Sequence, residues 1–199
     1  MDSRVKKISF SVVAAVALMA VLAFATEVEF APLGPAPLLN GKVGASEWQY
    51  PGVVESGWGT GHIWFKKDSQ FVYLCVAPSD TVHSGLDMYI DNMAGRIFML
   101  HVSSAHGQRF LDDTLWQDMS WGPADHWTSN LIEMIVKDGK TVWLAPEAFE
   151  FQIDRQLLPA ETFKLMIHLK RPELWAPSDA DTLSSKTWYW YGIDRPTGE

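Results

Sequence analysis

Short apolar runs separated by turn residues constrain the fold of this chain more than any other feature. Runs rich in apolar, β-branched and aromatic residues recur at residues 61–66, 71–77, 86–91, 96–103, 148–153, 163–169 and 187–191. No stretch keeps the 3.6-residue apolar period of an amphipathic helix over three turns. Asp138-Gly139, between the runs 131–136 and 141–144, is the strongest hairpin signal. The pattern predicts an all-β domain, either a sandwich or a barrel.

The N-terminal residues 1–25 have the layout of a secretory signal peptide. Arg4, Lys6 and Lys7 precede an uncharged run at residues 8–25, which ends in Ala23-Phe24-Ala25, an A-x-A cleavage pattern. We therefore expect a secreted or periplasmic protein. The alternative is an uncleaved anchor, because the run is close to the length that spans a bilayer. A membrane is a predicted partner only in that case.

Composition and prolines divide the remaining chain. Residues 26–37 form a Pro-rich leader, residues 38–193 the single predicted domain and residues 194–199 a tail. The net charge of −8 disfavours nucleic acid as a partner, because phosphate binding needs a basic patch. The single cysteine, Cys75, excludes a disulfide framework within the chain and lies in a strand-like run, where a buried, unreactive thiol is expected.

Tryptophan is the unusual residue: the chain has ten. Residues 111–130 depart from the strand pattern and are predicted to form a long loop, a common place for binding residues. Sugar rings stack on flat aromatic faces while their hydroxyls reach carboxylates and imidazoles. The loop offers both kinds of group, and Trp58 lies on a glycine-rich turn that could join it. The candidate ligand-binding residues are Trp116, Trp121, Trp127, Asp118, Asp125, His126 and Trp58. The alternative is that one or two of these loop tryptophans plug the end of the sandwich. The tryptophans in or beside strands are predicted to pack in the core or between the sheets: Trp48, Trp64, Trp143, Trp188 and Trp190.

Three segments, taken in order, resemble family 9 carbohydrate-binding modules and their DOMON-like relatives. They are residues 38–48, which end in Glu47-Trp48; residues 68–91; and residues 143–158. Asn40 stands where the family commonly has Asp, and Asp154 where it commonly has Pro. The resemblance implies an antiparallel β-sandwich of immunoglobulin-like or jelly-roll-like appearance. Members bind sugars, bind haem or serve as accessory domains, so the resemblance alone does not give the function. Together with the Trp-rich acidic loop, it favours a carbohydrate or related polar ligand.

Two cofactors follow from the resemblance. Some relatives hold structural calcium, which prefers carboxylate and carbonyl oxygens, and the candidate ligands here are Asp80, Asp87, Asp91 and Glu47. Haem-binding relatives use a Met with a His or Lys as axial ligands, and the candidates here are Met88 and His168. A haem-binding electron-transfer domain is therefore one alternative function.

Sequence motifs give no sign of catalysis. Residues 103–107 contain both Ser and His but do not form a G-x-S-x-G nucleophile elbow, and no phosphate-binding or dinucleotide-binding motif is present. The adjacent pair Asp112 and Asp113 has no fixed separation that would indicate a glycosidase. We therefore expect an exported non-catalytic binding domain. A structural or assembly domain of the cell envelope is the remaining alternative.

Overall fold

The computed structural model describes residues 28–48, 54–57, 61–78, 83–171 and 173–194, with the backbone alone for residues 54–57. Sixteen strands and one 3₁₀ turn (Ser185–Thr187) lie in these ranges. The strands are β1 (Glu29–Phe30), β2 (Val54–Gly57), β3 (Gly61–Lys67), β4 (Phe71–Pro78), β5 (Gly85–Asp91), β6 (Ile97–Val102), β7 (His106–Asp112), β8 (Leu115–Trp116), β9 (Ser120–Trp121), β10 (Trp127–Ser129), β11 (Glu133–Lys137), β12 (Lys140–Leu144), β13 (Phe149–Asp154), β14 (Thr162–Lys170), β15 (Leu174–Ala176) and β16 (Tyr189–Gly192).

Two sheets pack face to face and enclose the main core. The large sheet runs β1-β16-β14-β5-β6-β7-β8, with β15 beside β14 and β9 beside β7; the small sheet runs β10-β13-β4-β3-β2. All these pairs are antiparallel except β1 with β16. Alternate residues of each strand enter the core, as do Leu86, Met88 and Ile90 of β5. The predicted all-β, sandwich-like single domain with antiparallel sheets is confirmed.

The outer side of the small sheet is covered by the chain that precedes β2. The Trp48 side chain is fully buried there against Trp64 and Tyr73. The carboxylate of Glu150 accepts hydrogen bonds from the Trp48 indole nitrogen at 2.7 Å and from the Gly41 backbone nitrogen at 2.5 Å. Burial raises the pKa of Glu150, although these hydrogen bonds oppose the shift. The Glu47-Trp48 motif is therefore part of the fold rather than of an exposed site.

Cys75 lies in the same buried layer and is fully buried. Burial, followed by the nearby carboxylates of Glu150 and Glu47, raises the pKa of its thiol. Because the thiolate is the reactive form, we expect no reaction of Cys75 with Ellman's reagent at pH 8 in the folded protein and complete reaction in 6 M guanidinium. Rapid reaction without denaturant would contradict the burial of this layer.

The hairpin of β11 and β12 forms a separate two-stranded sheet. Asp138 and Gly139 both have positive φ, 52° and 73°, as a tight hairpin turn requires, so the predicted hairpin is confirmed. Trp143 lies in β12 but is 55% exposed, so its predicted packing in the core or between the sheets is wrong, because β12 pairs with β11 alone in the described chain.

Residues 111–130 are not one long loop as predicted, because they contain β8, β9 and β10. These strands have two or three residues each, too few to display a period in the sequence. At the other end, residues 29–33 of the predicted leader are paired: β1 with β16, and Leu33 with Lys67. Part of the leader therefore belongs to the sandwich. In the part of the chain that the structure describes, no helix is long and apolar enough to cross a membrane.

Candidate binding face and adjoining cleft

The side of the large sheet that faces away from the small sheet carries three rows of cross-strand neighbours. The first of the three rows on this outer face is polar and has a tryptophan at each end, and we call it the polar row. Its members are successive register partners on six strands: Trp175, His168, Asp87, His101, Gly107 and Trp121. The strand alternation that sends Leu86 and Met88 into the core is what turns Asp87 outward.

The other two rows are mainly apolar and aromatic, with cations at intervals. The second row contains Met166, Tyr89, Met99 and Arg109, and Trp188 packs onto it. The third row runs through Trp190, Lys164, Asp91, Ile97, Leu111 and Trp116. Five tryptophans thus lie on one side of one sheet: Trp116, Trp121, Trp175, Trp188 and Trp190. With Tyr89 they define what we call the aromatic face.

Tyr89 lies at the centre of the aromatic face. The centroid of its ring is 5.5 Å from that of Trp116, 6.2 Å from Trp188 and 6.3 Å from Trp175. The Arg109 guanidinium lies 4.8 Å from the centre of the Trp116 ring. Ring contacts and a cation–π contact therefore join the aromatic side chains of the face, beside the aliphatic packing of Met99 and Met166.

Trp121 is the most exposed ring of the aromatic face, at 62%. It meets His101 edge-on, with centroids 5.2 Å apart, and its ring lies over Gly107. A Cβ added at Gly107 would come within 3.1 Å of the Trp121 ring and 3.0 Å of the Met119 sulfur. Glycine at this position is what lets the Trp121 ring lie close to the strand.

Asp87 is the charged centre of the polar row and is only 4% exposed. One carboxylate oxygen lies 2.5 Å from His101 Nδ1, and the other accepts from Lys170 Nζ at 2.8 Å. Burial by itself would raise the pKa of Asp87, but the hydrogen bonds and charges of His101 and Lys170 outweigh it and hold that pKa below its usual value. Asp87 is therefore a carboxylate at neutral pH.

His168 lies on the other side of Asp87, stacked under Trp175. The two rings are 3.6 Å apart between centroids and 11° from parallel. Burial, followed by the Lys170 charge, lowers the pKa of His168, so the ring is neutral at pH 7. Lys170 Nζ is 3.0 Å from its Nδ1. An ammonium group only donates, so Nδ1 accepts and the ring proton is assigned to Nε2.

Three buried N–H groups of the outer face have no protein acceptor among the described residues. They are His168 Nε2, Trp116 Nε1 and Arg109 Nε. Each such group costs about 1–3 kcal/mol when it is left unpaired.

A cleft of about 420 Å³ opens at the end of the large sheet nearest the polar row. Its lining includes apolar groups from the hairpin side and polar groups from the ends of the sheet strands: Ile132, Trp143, His83, Ser103, Ser104 and Arg171. Ser103 Oγ lies 2.9 Å from His101 Nε2, so a hydrogen bond joins the cleft to the polar row.

The structure divides the predicted tryptophan site between two places. Trp116 and Trp121 lie on the aromatic face, and Asp118 is exposed between them. Trp127 is 4% exposed, stacks on Phe151 and donates its indole N–H to Gln108 at 2.9 Å, so it belongs to the core.

Asp125 and His126 are exposed beside β10, at the edge of the small sheet, where His126 Nδ1 lies 3.9 Å from Asp154. They therefore do not join Trp116 and Trp121. Trp58 lies outside the described residues.

The three candidate calcium ligands that the structure describes do not converge. The carboxylate oxygens of Asp87 contact His101 and Lys170. Asp91 lies about 13 Å further along β5, where it accepts a hydrogen bond from the Ser185 hydroxyl. Glu47 lies on the small-sheet side, where it accepts from the Leu38 backbone nitrogen at 3.0 Å. Asp80 is outside the described residues, within which no group of three or more His, Cys, Asp or Glu is arranged to hold a metal ion.

The structure does not bring the two candidate haem ligands, Met88 and His168, together. Met88 faces the core between the two sheets, whereas His168 faces outward on the neighbouring strand. Residues on opposite faces of one sheet cannot ligate the same iron atom. The alternation of β5 already separates Met88 from Asp87, and Asp87 is the register partner of His168.

Sequence reasoning missed three residues that complete the outer face: Trp175, His101 and Arg109. Each could be placed on this face from the sequence if the strand pairing were known. Alternation in β14 puts Lys164, Met166, His168 and Lys170 on one side, and antiparallel pairing then brings Asp87 beside His168. The pairing of β6 with β5 was not readable from the sequence, so His101 was not connected to Asp87.

Comparisons with protein-family models, with curated proteins and with solved structures found no significant match to this chain.

Proposed function

We propose that this protein binds a carbohydrate, or a related polar ligand with a ring, on the aromatic face of the large sheet. The observation that carries the proposal is the grouping of Trp116, Trp121, Trp175 and Trp190, all at least partly exposed, around the charged row of Asp87 on a single surface. Aromatic rings that are grouped on one face and keep part of their surface exposed are typical of a binding surface.

The chemistry of the face matches a sugar in two respects. The C–H side of a pyranose ring stacks on an indole face, and Trp121 presents such a face at the rim. Hydroxyl and carboxylate oxygens accept hydrogen bonds, and three nitrogens of this face, Arg109 Nε, Trp116 Nε1 and His168 Nε2, have no acceptor within hydrogen-bond distance in the described chain. These donors are covered by neighbouring rings, so full engagement includes a shift of the rings above them.

The charge around the face extends the range of sugars to be tested. Arg109, Lys164 and Lys170 bring three cations to the outer face of a protein whose net charge is −8. Acidic polysaccharides therefore belong in the panel beside neutral ones. An apolar ring ligand would leave the three buried N–H groups of this face without an acceptor.

Affinity electrophoresis of the protein in gels that contain neutral or uronic polysaccharides tests the proposal. We expect retardation by at least one polysaccharide, and a dissociation constant raised about tenfold or more by Trp121→Ala, because loss of one stacked ring removes about 1–1.5 kcal/mol or more. Trp143→Ala is the matched control: Trp143 is also exposed but lies on the hairpin, away from the face. Unretarded migration on every polysaccharide, with Trp116→Ala and Trp121→Ala unchanged, would refute it.

A further inference from the structure

We propose that Ser103, His101 and Asp87 form a nucleophilic triad that opens into the cleft and cleaves small acyl esters. The inference concerns chemistry in the cleft and does not depend on sugar binding by the aromatic face. It rests on a continuous chain of side-chain hydrogen bonds that ends at a serine in a concave site.

The three side chains have the mutual geometry that nucleophilic catalysis requires. Asp87 Oδ1 lies 2.5 Å from His101 Nδ1, and His101 Nε2 lies 2.9 Å from Ser103 Oγ. The carboxylate and the serine thus use the two different ring nitrogens. Such triads are recognised by geometry and by the role of each member, because their order along the chain varies between folds.

The backbone fixes this arrangement without a nucleophile elbow. His101 is on β6 and its register partner on β5 is Asp87, which puts their side chains on the same face. Ser103 follows two residues after His101, just past the end of β6, so it continues on that side of the strand. Pairing of two neighbouring strands therefore assembles all three groups.

The Asp87 carboxylate sets the roles of the other two. Held ionised by Lys170 at 2.8 Å, it accepts the Nδ1 proton of His101. The lone pair of His101 Nε2 then faces the Ser103 hydroxyl and is placed to take its proton. The proton assignment follows from these partners.

Ser103 is accessible from the cleft. It is half-buried, and the cleft volume of about 420 Å³ is within the usual range for small-molecule sites. Ile132, Trp143 and Ala145 supply an apolar wall, and Arg171 brings a positive charge. The cleft therefore suits an ester with a short apolar acyl group, whose carbonyl oxygen is directed at Arg171 and gains negative charge there during the reaction.

The reaction balances with water as the sole co-reactant. Ser103 Oγ forms a bond to the ester carbonyl carbon while His101 Nε2 takes the hydroxyl proton. The bond to the leaving oxygen breaks, and His101 returns the proton to that oxygen, which gives the free alcohol and an acyl-serine. Water, deprotonated by His101, then attacks the acyl carbon and releases the carboxylic acid and the serine hydroxyl.

The groups that stabilise the ester carbonyl oxygen as it becomes an oxyanion are other residues of the cleft, not the Ser103 backbone N–H. The Ser103 backbone N–H is already used by the Ala105 carbonyl at 3.1 Å. Ser104 and Arg171, which line the same cleft, are the groups available to stabilise the oxyanion.

Labelling of the purified full-length protein with a fluorophosphonate, followed by peptide mass spectrometry, tests the triad. We expect one adduct on Ser103, no adduct in Ser103→Ala, and labelling at least about 100-fold slower in His101→Gln, because general-base assistance contributes on this scale. Ser84→Ala removes another hydroxyl that lines the same cleft and has no part in the triad or the oxyanion site, so it is expected to keep the Ser103 adduct. Near-UV circular dichroism of each variant reports whether the tryptophan-rich fold is intact.

Three results of the labelling experiment would contradict the proposal. Absence of an adduct on folded wild-type protein, an adduct on another residue, or equal labelling of folded Ser103→Ala would overturn the triad. With p-nitrophenyl butyrate as substrate, the triad predicts a kcat/KM that falls about 1000-fold or more in Ser103→Ala. No polysaccharide is present in either assay, so a negative result in them does not bear on carbohydrate binding by the aromatic face. Likewise, failure to bind any polysaccharide does not bear on the triad.

Discussion

Replacing Asp87 with alanine is expected to lower the free energy of unfolding at pH 7 by about 3 kcal/mol. Removing one member of a buried ion pair costs about 3–5 kcal/mol because the partner charge stays behind. The lower end applies here, since Lys170 keeps 30% of its side chain exposed and can be partly solvated. Urea unfolding monitored by tryptophan fluorescence measures the change, and Asp118→Ala, at an exposed carboxylate, is the control with an expected loss under about 0.5 kcal/mol.

The same substitution has a pH signature. The pKa of Asp87 in the folded protein is lowered, so its contribution is fully present above the unfolded pKa of about 3.9 and is lost as the pH falls through the folded value. The difference in unfolding free energy between wild type and Asp87→Ala is therefore expected to shrink below about pH 4. A difference that stays constant down to pH 2, or an Asp87→Ala protein as stable as Asp118→Ala, would contradict the buried charge network.

Trp48→Ala is expected to cost about 3–5 kcal/mol, the usual range for deleting a buried large aromatic side chain. Trp48 is fully buried, and its indole donates to a buried carboxylate oxygen of Glu150. Its ring also lies beneath Lys66 Nζ, 4.8 Å from the ring centre. The substitution thus opens a cavity and removes one of the hydrogen bonds to a buried acid.

Trp143→Ala is the matched control for this prediction, because it deletes the same side chain from an exposed position on the hairpin. Chemical unfolding at pH 7 is expected to show a loss below about 1 kcal/mol for this variant. Equal losses for the two variants would mean that the chain before β2 does not seal the small sheet.

The strands and their inward faces were predictable because a half-buried strand repeats every two residues. The alternation of Leu86, Met88 and Ile90 with Asp87 and Tyr89 already separates the core from the outer surface. The Asp138-Gly139 turn was predictable because both residues tolerate positive φ.

The candidate site was only partly predictable because it is built across strands rather than along one. Trp116 and Trp121 stood out in the sequence, but Trp175 reaches the same surface through pairing of β15 with β14. Trp127 has the same residue type and lies in the same segment, yet it faces the core because β10 joins the other sheet. Sheet membership of such short strands depends on distant partners, which a local pattern does not contain.

The proposed triad could not be predicted from the sequence for the same reason, because its members Asp87, His101 and Ser103 are brought together by strand pairing. Residues 103–107 drew attention to His106, which instead hydrogen-bonds Ser129 at 2.9 Å across to β10. The histidine that faces Ser103 lies two residues before it, and its carboxylate partner comes from another strand. Motifs of consecutive residues miss a triad of this kind, whereas strand register assembles it.

The most direct test of the binding face is ¹⁹F NMR of protein labelled with 5-fluorotryptophan, with each resonance assigned by single substitution. Addition of the polysaccharide that retards the protein most strongly is expected to shift the resonances of Trp116, Trp121, Trp175 and Trp190. Buried Trp48 and the hairpin residue Trp143 are expected to stay unshifted. Shifts confined to Trp143, or no shift on the aromatic face at saturating polysaccharide, would contradict the assignment of that face as the ligand site.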